Sequence, residues 1–235
     1  MLIVVCTILL LSSYLIQRHF SLTDGASFGQ AFGGASALFS GMAFAALIYT
    51  VLLQKAELAL TRADIAEQRF ESFFFELLRL HRNTATGLRA RPLGPTGPEY
   101  QGLPAFEIAA GELAVRLRVV MSPPMNEASM QTFVSTAFES LCLANFSDFG
   151  HYLRELYQLV RFIDESGIPD KERYTSLVRA QLSSGELSIL FVNGLSEAGK
   201  GFKPLVEKYA LLKGARVRDE FDQYRSLYRS QAYGS

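Results

Sequence analysis

The sequence feature that most constrains this chain is the apolar run at residues 31–53, AFGGASALFSGMAFAALIYTVLL. No charged residue occurs from Gly25 to Gln54. As a helix with a rise of ~1.5 Å per residue, the run is about 34 Å long, enough to cross a hydrocarbon core of ~30 Å. A soluble helix of this length normally keeps one polar face. The run therefore predicts a transmembrane helix.

Small side chains recur at every fourth position of this run, namely at Gly33, Ala37, Gly41 and Ala45. Residues four apart lie on the same face of a helix. A stripe of small residues lets a second membrane helix approach closely, where van der Waals contact drives association. We expect this stripe to be a packing face in a homo-oligomer. The simpler alternative is that Gly and Ala are common in membrane helices.

A second apolar segment covers residues 2–17, LIVVCTILLLSSYLIQ. It would span about 25 Å, which is short for a bilayer. No basic residue precedes it, and no small-x-small cleavage site lies before Gly25, so a first transmembrane helix is favoured over a signal peptide or an interfacial segment. Residues 1–53 are thus predicted to form a transmembrane hairpin, with residues 18–32 as a short external loop.

The orientation of the hairpin follows from its flanking charges. Lys55, Arg62 and Arg69 follow the second span, whereas Arg18 is the one basic residue of the external loop. The positive-inside rule then places both termini in the cytoplasm. We expect a protein that spans a membrane twice and contacts membrane lipid.

The segment at residues 54–86 contains neither Gly nor Pro, so it predicts a helix that continues from the membrane. Its apolar residues follow helical spacing, and they are Phe70, Phe73, Phe74, Leu77, Leu78 and His81. The other face carries Glu67, Arg69, Glu71, Glu76 and Arg79. The segment therefore predicts an amphipathic linking helix, in which His81 is a core residue with satisfied hydrogen bonds.

Beyond this helix, residues 87–104 hold four Pro and four Gly and predict a flexible loop without regular structure. Residues 105–235 predict a cytosolic helical domain, because no stretch shows sustained strand alternation or a hairpin signal. The predicted helices are 105–121, 127–144, 148–166, 170–196 and 202–214, followed by one that places Phe221, Tyr224 and Tyr228 together. The predicted fold is all-α: a two-helix transmembrane hairpin and a long linking helix that leads into a helical bundle.

Composition narrows the functional classes. The chain has 23 basic and 23 acidic residues, a balance that argues against broad nucleic-acid binding. Its histidines, at positions 19, 81 and 151, are too dispersed to predict a metal site. Cys6 and Cys142 do not suggest a disulfide framework.

Seven polar residues interrupt the apolar pattern between residues 151 and 193: His151, Arg154, Tyr157, Arg179, Gln181, Glu186 and Asn193. His151, Arg154 and Tyr157 follow steps of three on a predicted helix, and with Arg179 they could clamp a phosphate. The favoured alternative is a buried polar network in which Arg154 or Arg179 pairs with Glu155 or Glu186.

No established catalytic or cofactor motif accompanies this cluster. The sequence has no P-loop, GxGxxG, HExxH or paired CxxC motif, and no Ser lies in a nucleophile elbow. Ser183-Ser184-Gly185 is better explained as a helix break than as a nucleophile. We therefore assign no catalytic residue, metal or cofactor, and a non-enzymatic protein is favoured over an enzyme.

Four strings carry a family resemblance: FESFFFELLRLH (70–81), GHYLRELYQLVRFID (150–164), YTSLVRAQLSSGELSILFVNGLS (174–196) and FKPLVEKYALL (202–212). In this order, behind two apolar segments, they resemble the putative phage abortive infection protein family. The resemblance covers roughly residues 28 to 212. It implies a two-transmembrane, toxin-like effector of anti-phage defence, and some members act in retron systems. It supplies no catalytic residues.

The sequence thus predicts a membrane effector that stays silent until infection and then disrupts or depolarises the inner membrane. A reverse transcriptase with its DNA product is a conceivable partner only through the retron resemblance. One alternative is a membrane-tethered enzyme or nucleotide sensor that uses the 151–193 cluster. Another is a non-lethal scaffold that recruits a defence partner.

Overall fold

The computed structural model describes Tyr14 and residues 22–92, 97–118, 126–143, 148–215 and 218–234, without the side chains of residues 22–28, 30 and 31. Apart from Tyr14, the predicted first span at residues 2–17 lies outside the described residues. The chain divides into two compact units, Met1–Ala66 and Glu67–Ser235. The secondary structure of the described residues is almost entirely helical, which confirms the all-α prediction.

Helix α1 runs continuously from Leu22 to Gly87. Residues 22–32 belong to it, so the prediction that they form an external loop is wrong. The glycines at positions 25, 29 and 33 permit a turn but do not require one, since each costs a helix only about 1 kcal/mol relative to alanine. By length and hydropathy, this is the one helix among the described residues that could cross a membrane.

The part of α1 within the second unit buries a narrower stripe than the spacing predicts. Phe70, Phe74 and His81 are buried, whereas Phe73 is 64% exposed. Phe73 lies about 60° behind Phe70 around the helix, on the side away from Phe74 and His81. On the predicted polar face, Glu71 accepts a hydrogen bond from the Tyr174 hydroxyl at 2.9 Å.

The predicted irregular loop contains a short antiparallel pair of strands. Strand β1, Arg89–Ala90, pairs with β2, Tyr100–Gln101. Gly102 follows with φ +66°, and its N–H donates to the Leu88 carbonyl. This left-handed backbone conformation favours glycine. Helix α2 then begins at Leu103, so residues 87–104 are not irregular throughout.

The next helices agree with the sequence predictions to within a few residues. They are α2, Leu103–Arg118; α3, Glu127–Leu143; α4, Asp148–Glu165; α5, Lys171–Gln181; and α6, Ser184–Leu195. Helix α6 lies at the centre of the second unit, and every residue from Gly185 to Leu195 is buried. Most of these residues are apolar, and a helix with apolar residues on every face is stable in water only when it is enclosed.

The predicted helix at residues 170–196 is two helices. Leu182 ends α5, and Ser183 begins α6 with a capping box. The Ser183 hydroxyl accepts from the Glu186 N–H, and the Glu186 carboxylate accepts from the Ser183 N–H. The break predicted at Ser183-Ser184-Gly185 is therefore the start of a new helix. At Gly185, an added Cβ would lie 2.9 Å from the Phe106 carbonyl carbon of α2, so glycine allows these helices to approach closely.

The C-terminal region is less regular than predicted. Helix α7 covers only Lys203–Lys208 of the predicted 202–214 segment. Ala210 has a positive φ of 47°, which ends the helical course of the backbone. The last predicted helix is replaced by 3₁₀ segments at Asp219–Leu227 and Ser230–Tyr233, although Phe221, Tyr224 and Tyr228 are buried as expected.

Candidate functional site

A groove with a volume of about 450 Å³ opens on the second unit, beside the end of α3, the first half of α4 and the loop after α6. This size lies within the range of small-molecule sites. The lining residues are Phe138, Cys142, Gly150, Leu153, Arg154, Tyr157, Asn193, Ala198, Gly199, Gly201 and Phe202. Apolar side chains form most of the wall, and three polar side chains from the predicted cluster lie within it.

Arg154 is the one charged side chain among the described residues that line the groove. It is exposed, and its guanidinium makes no hydrogen bond or ion pair with the described residues. The adjacent carboxylate of α4, Glu155, contacts His151 at 3.1 Å instead. The groove therefore offers an unpaired positive charge to an anion.

Asn193 is the most buried of the three polar residues that line the groove. It is only 5% exposed, and its side-chain amide makes no hydrogen bond with any residue that the structure describes. Its backbone carbonyl, by contrast, accepts from the Ser196 N–H at 2.9 Å and from the Ser196 hydroxyl at 2.7 Å. The amide therefore lies in the groove with its donors and its acceptor not used by any described residue.

Two glycines shape the loop behind Asn193. Gly199 lies so close that an added Cβ would be 2.7 Å from the Asn193 Oδ1 atom and 2.5 Å from its carbonyl carbon. Gly201 also lines the groove, yet an added Cβ there would meet no described atom within 4 Å. Close packing therefore requires glycine at position 199 but not at position 201.

Aromatic rings form one wall. The rings of Tyr157 and Phe202 meet edge to face, with centroids 5.5 Å apart and an interplanar angle of 73°. This is one of the arrangements that aromatic pairs prefer. On the opposite side, burial raises the pKa of the Cys142 thiol, and Glu139 adds to this effect. The thiol is therefore protonated at neutral pH and adds a weakly polar surface rather than a charge.

The remaining residues of the predicted cluster lie elsewhere. His151 is 61% exposed beside Glu155, and Gln181 is exposed at the end of α5. The Arg179 guanidinium donates to the backbone carbonyls of Tyr209 at 3.3 Å and Ala210 at 3.0 Å. The structure brings together only Arg154, Tyr157 and Asn193, so a joint phosphate clamp by Arg154 and Arg179 is not observed.

Glu186 belongs to a buried network of different membership from the predicted one. Its carboxylate accepts from the Tyr152 hydroxyl at 2.9 Å and from the Ser183 N–H at 2.7 Å. Burial, with the carboxylate beside it, raises the pKa of Tyr152 well above its usual value. Within the described residues, neither Arg154 nor Arg179 pairs with Glu155 or Glu186. Arg154 is exposed at the groove, and Arg179 donates to backbone carbonyls instead.

His81 packs against this network with its ring centroid 4.6 Å from that of Tyr152. The imidazole is 2% exposed, and neither ring nitrogen has a hydrogen-bond partner in the described part of the chain. The expectation of satisfied hydrogen bonds is therefore wrong. Burial, with Arg82 as a second cause, lowers the pKa of His81 to about 4, so the ring is neutral at pH 7.

In the first unit, no residue that the structure describes covers the predicted packing stripe. Gly33, Ala37, Gly41 and Ala45 are all exposed, and a Cβ added at Gly33 or Gly41 would meet no described atom within 4 Å. The stripe has the open surface that a second helix would need. Its role in packing stays a prediction.

Sequence reasoning missed several groove residues: Phe138, Cys142, Gly150, Leu153, Ala198, Gly199, Gly201 and Phe202. The apolar ones looked like ordinary core positions. The alternation of Gly199 and Gly201 just after a helix end was a usable signal, because paired glycines mark tight or closely approached loops.

A scan of protein-family models matches residues 145–219 to the family described as putative phage abortive infection protein. The match confirms the resemblance over that segment, and it includes every groove residue except Phe138 and Cys142. Neither the curated proteins nor the solved structures contain a match to the chain.

Proposed function

We propose, from the match of residues 145–219 to the abortive infection family, that this chain is a membrane-anchored effector of bacterial anti-phage defence. The second unit would keep the protein silent in uninfected cells. Infection would release it, and the membrane helices would then compromise the inner membrane before phage matures. The proposal has two structural parts, an anchor and an assembly face.

The observation that carries the anchor is the exposure of every described side chain from Phe32 to Leu53. Large apolar groups point outward all around this part of α1, including Leu38, Phe39, Met42, Phe44 and Leu47, which are 58% to 70% exposed. A surface of this extent is unfavourable in water and favourable in lipid. The Thr50 hydroxyl donates to the Ala46 carbonyl of its own helix at 2.8 Å. The hydroxyl therefore has a partner within the helix and needs no water in the bilayer.

The assembly face is the stripe of small residues defined above. One span of this kind holds no ionisable side chain, so a single copy offers no path for ions. Several copies packed through the stripe could enclose a pore or disturb the bilayer. Ser36, Ser40 and Thr50 are exposed and supply hydroxyl groups for its lining.

The proposed topology has two spans and both termini in the cytoplasm, where the second unit can meet a defence partner. The basic residues after the second span support this orientation. A partner such as a reverse transcriptase with its DNA product stays a prediction from the family resemblance. A scaffold that recruits a partner without harming the cell is the alternative function, and loss of viability during infection separates the two.

Met42→Arg tests the anchor, because Met42 lies near the middle of the apolar run and outside the small-residue stripe. An arginine at the centre of a membrane helix costs about 2.5–3.5 kcal/mol of insertion free energy. We expect the variant to leave the membrane fraction under alkaline extraction and to lose protection in a plaque assay. Met42→Leu is the matched control and should retain both properties.

The outcome that contradicts the anchor is equally defined. A Met42→Arg chain that is abundant outside the membrane and still protects cells as well as the parent chain would show that defence does not require insertion. A chain that stays inserted and protects would keep the anchor and contradict only the prediction that Met42 faces lipid at the centre of the span.

A further inference from the structure

We infer that the groove on the second unit is a binding site for a nucleoside monophosphate. The inference does not depend on the membrane mechanism, because it concerns the second unit and is tested by binding to the purified chain. It rests on three features of the groove: a guanidinium and an amide that have no partner among the described residues, and a wall of aromatic rings.

The guanidinium of Arg154 selects the charge of the ligand. It is the one charged group among the described lining residues, and the adjacent carboxylate Glu155 contacts His151. Guanidinium and phosphate form paired, charge-assisted hydrogen bonds. Because Arg154 is exposed, it holds the phosphate at the mouth of the groove, where solvent meets the remaining phosphate oxygens.

The amide of Asn193 selects a polar edge at the other end of the ligand. Asn193 is 5% exposed, and its side-chain amide has no hydrogen-bond partner among the described residues. A ligand that supplies both a donor and an acceptor therefore matches the oxygen and the NH₂ group of the amide. Nucleobase edges present such pairs, and an asparagine amide matches adenine in particular.

The half-buried ring of Tyr157, supported edge to face by Phe202, suits the planar body of a base. The two ring centroids lie 5.5 Å apart, and Phe202 is almost fully buried, so the wall is held in place by the core. Aromatic side chains commonly bind bases by stacking, because every base has a π-face. A groove volume of about 450 Å³ admits one small ligand of this kind.

A fatty acid or another acyl anion fits the groove less well. Its carboxylate could pair with Arg154, but its tail would bury the Asn193 amide against hydrocarbon and leave it without a partner. Such burial of an unsatisfied polar group opposes binding. Inorganic phosphate alone would leave both the amide and the aromatic wall unused.

Calorimetric titration of the full chain in detergent tests the inference, with AMP, GMP, CMP, UMP and inorganic phosphate as separate titrants. We expect at least one nucleotide to bind with a Kd below about 1 mM, and more tightly than phosphate. Arg154→Gln should weaken that binding about tenfold or more, since it removes a charge-assisted pair. Arg173→Gln, at an exposed arginine outside the groove, is the matched control.

Asn193→Leu separates recognition of the base from recognition of the phosphate. It should weaken nucleotide binding and leave phosphate binding unchanged, with circular dichroism reporting whether the variant is folded. Three results would overturn the inference: no heat with any of the four nucleotides, unchanged binding by Arg154→Gln, or phosphate binding as tight as that of the best nucleotide. If Asn193→Leu does not fold, the Arg154→Gln comparison decides alone.

Discussion

Replacing Gly199 with alanine is expected to destabilise the second unit by about 3 kcal/mol, at the upper end of the effects of overpacking. The new Cβ would overlap the Asn193 carbonyl oxygen and lie 2.5 Å from the carbonyl carbon. This carbonyl cannot move away easily, because the Ser196 N–H and the Ser196 hydroxyl both donate to it. The melting temperature, followed by circular dichroism in detergent, should fall by about 10 °C.

Gly201→Ala is the matched control two residues away. Its Cβ would meet no described atom within 4 Å, and its backbone does not have the positive φ that disfavours alanine. We expect no loss of stability and a gain of up to about 1 kcal/mol, because alanine reduces the freedom of the unfolded chain. Equal melting temperatures for Gly199→Ala and the parent chain would show that the loop does not pack against Asn193 as described.

The second large effect is a loss of stability in acid caused by His81. Burial lowers the pKa of His81 to about 4 in the folded chain, against the ordinary value of 6.5. As the pH falls, the unfolded state binds the proton first. The stability contributed by the neutral imidazole is therefore complete above pH ~6.5 and is lost as the pH falls towards ~4, by a total of about 3 kcal/mol.

His81→Leu isolates this effect because leucine cannot bind a proton and leaves no unsatisfied nitrogen in the core. Measured against the parent chain, the variant should gain about 2 kcal/mol of relative stability between pH ~7 and pH ~4.5. Comparing the two proteins at each pH cancels the contributions of other titrating groups. His151→Leu, at an exposed imidazole, is the control. A difference between His81→Leu and the parent chain that does not change with pH would contradict the burial of His81.

The helical content of this fold could be predicted from local sequence patterns, namely the spacing of apolar residues and the residues that cap helices. Apolar residues at helical spacing predicted α4 closely. Asp170 was expected to begin a helix, and its carboxylate accepts from the Arg173 N–H at 3.1 Å, as a helix cap does. The break between α5 and α6 was harder to place. The capping box of Ser183 and Glu186 gives the physical signal, but the apolar pattern continues across it.

The errors fall where long-range contacts decide. Phe73 satisfies helical spacing as well as Phe74 does, and only the packing partners of α1 reveal which ring is buried. Arg179 was grouped with Arg154, yet it contacts backbone carbonyls from residues 209 and 210, thirty positions along the chain. Such a contact has no local sequence signal.

The groove was predictable only in part. Arg154 and Tyr157 share a helix at a spacing of three, so their proximity follows from helix geometry. Asn193 joins them through the packing of α6 and α4, and Phe202 through the loop after α6, neither of which a one-dimensional pattern encodes. The distinction between an unpaired arginine and a paired one also depends on the neighbours that the fold supplies.

The measurement that tests the proposed effector function most directly is the membrane potential of cells expressing the chain, followed with a voltage-sensitive dye before and after phage challenge. We expect prompt depolarisation after infection. Gly41→Leu, at the same protein level, should block it, because leucine fills the small-residue stripe. Ala46→Leu, at a small residue on the opposite face of the helix, should depolarise like the parent chain. Growth arrest with an intact potential would contradict the proposed mechanism.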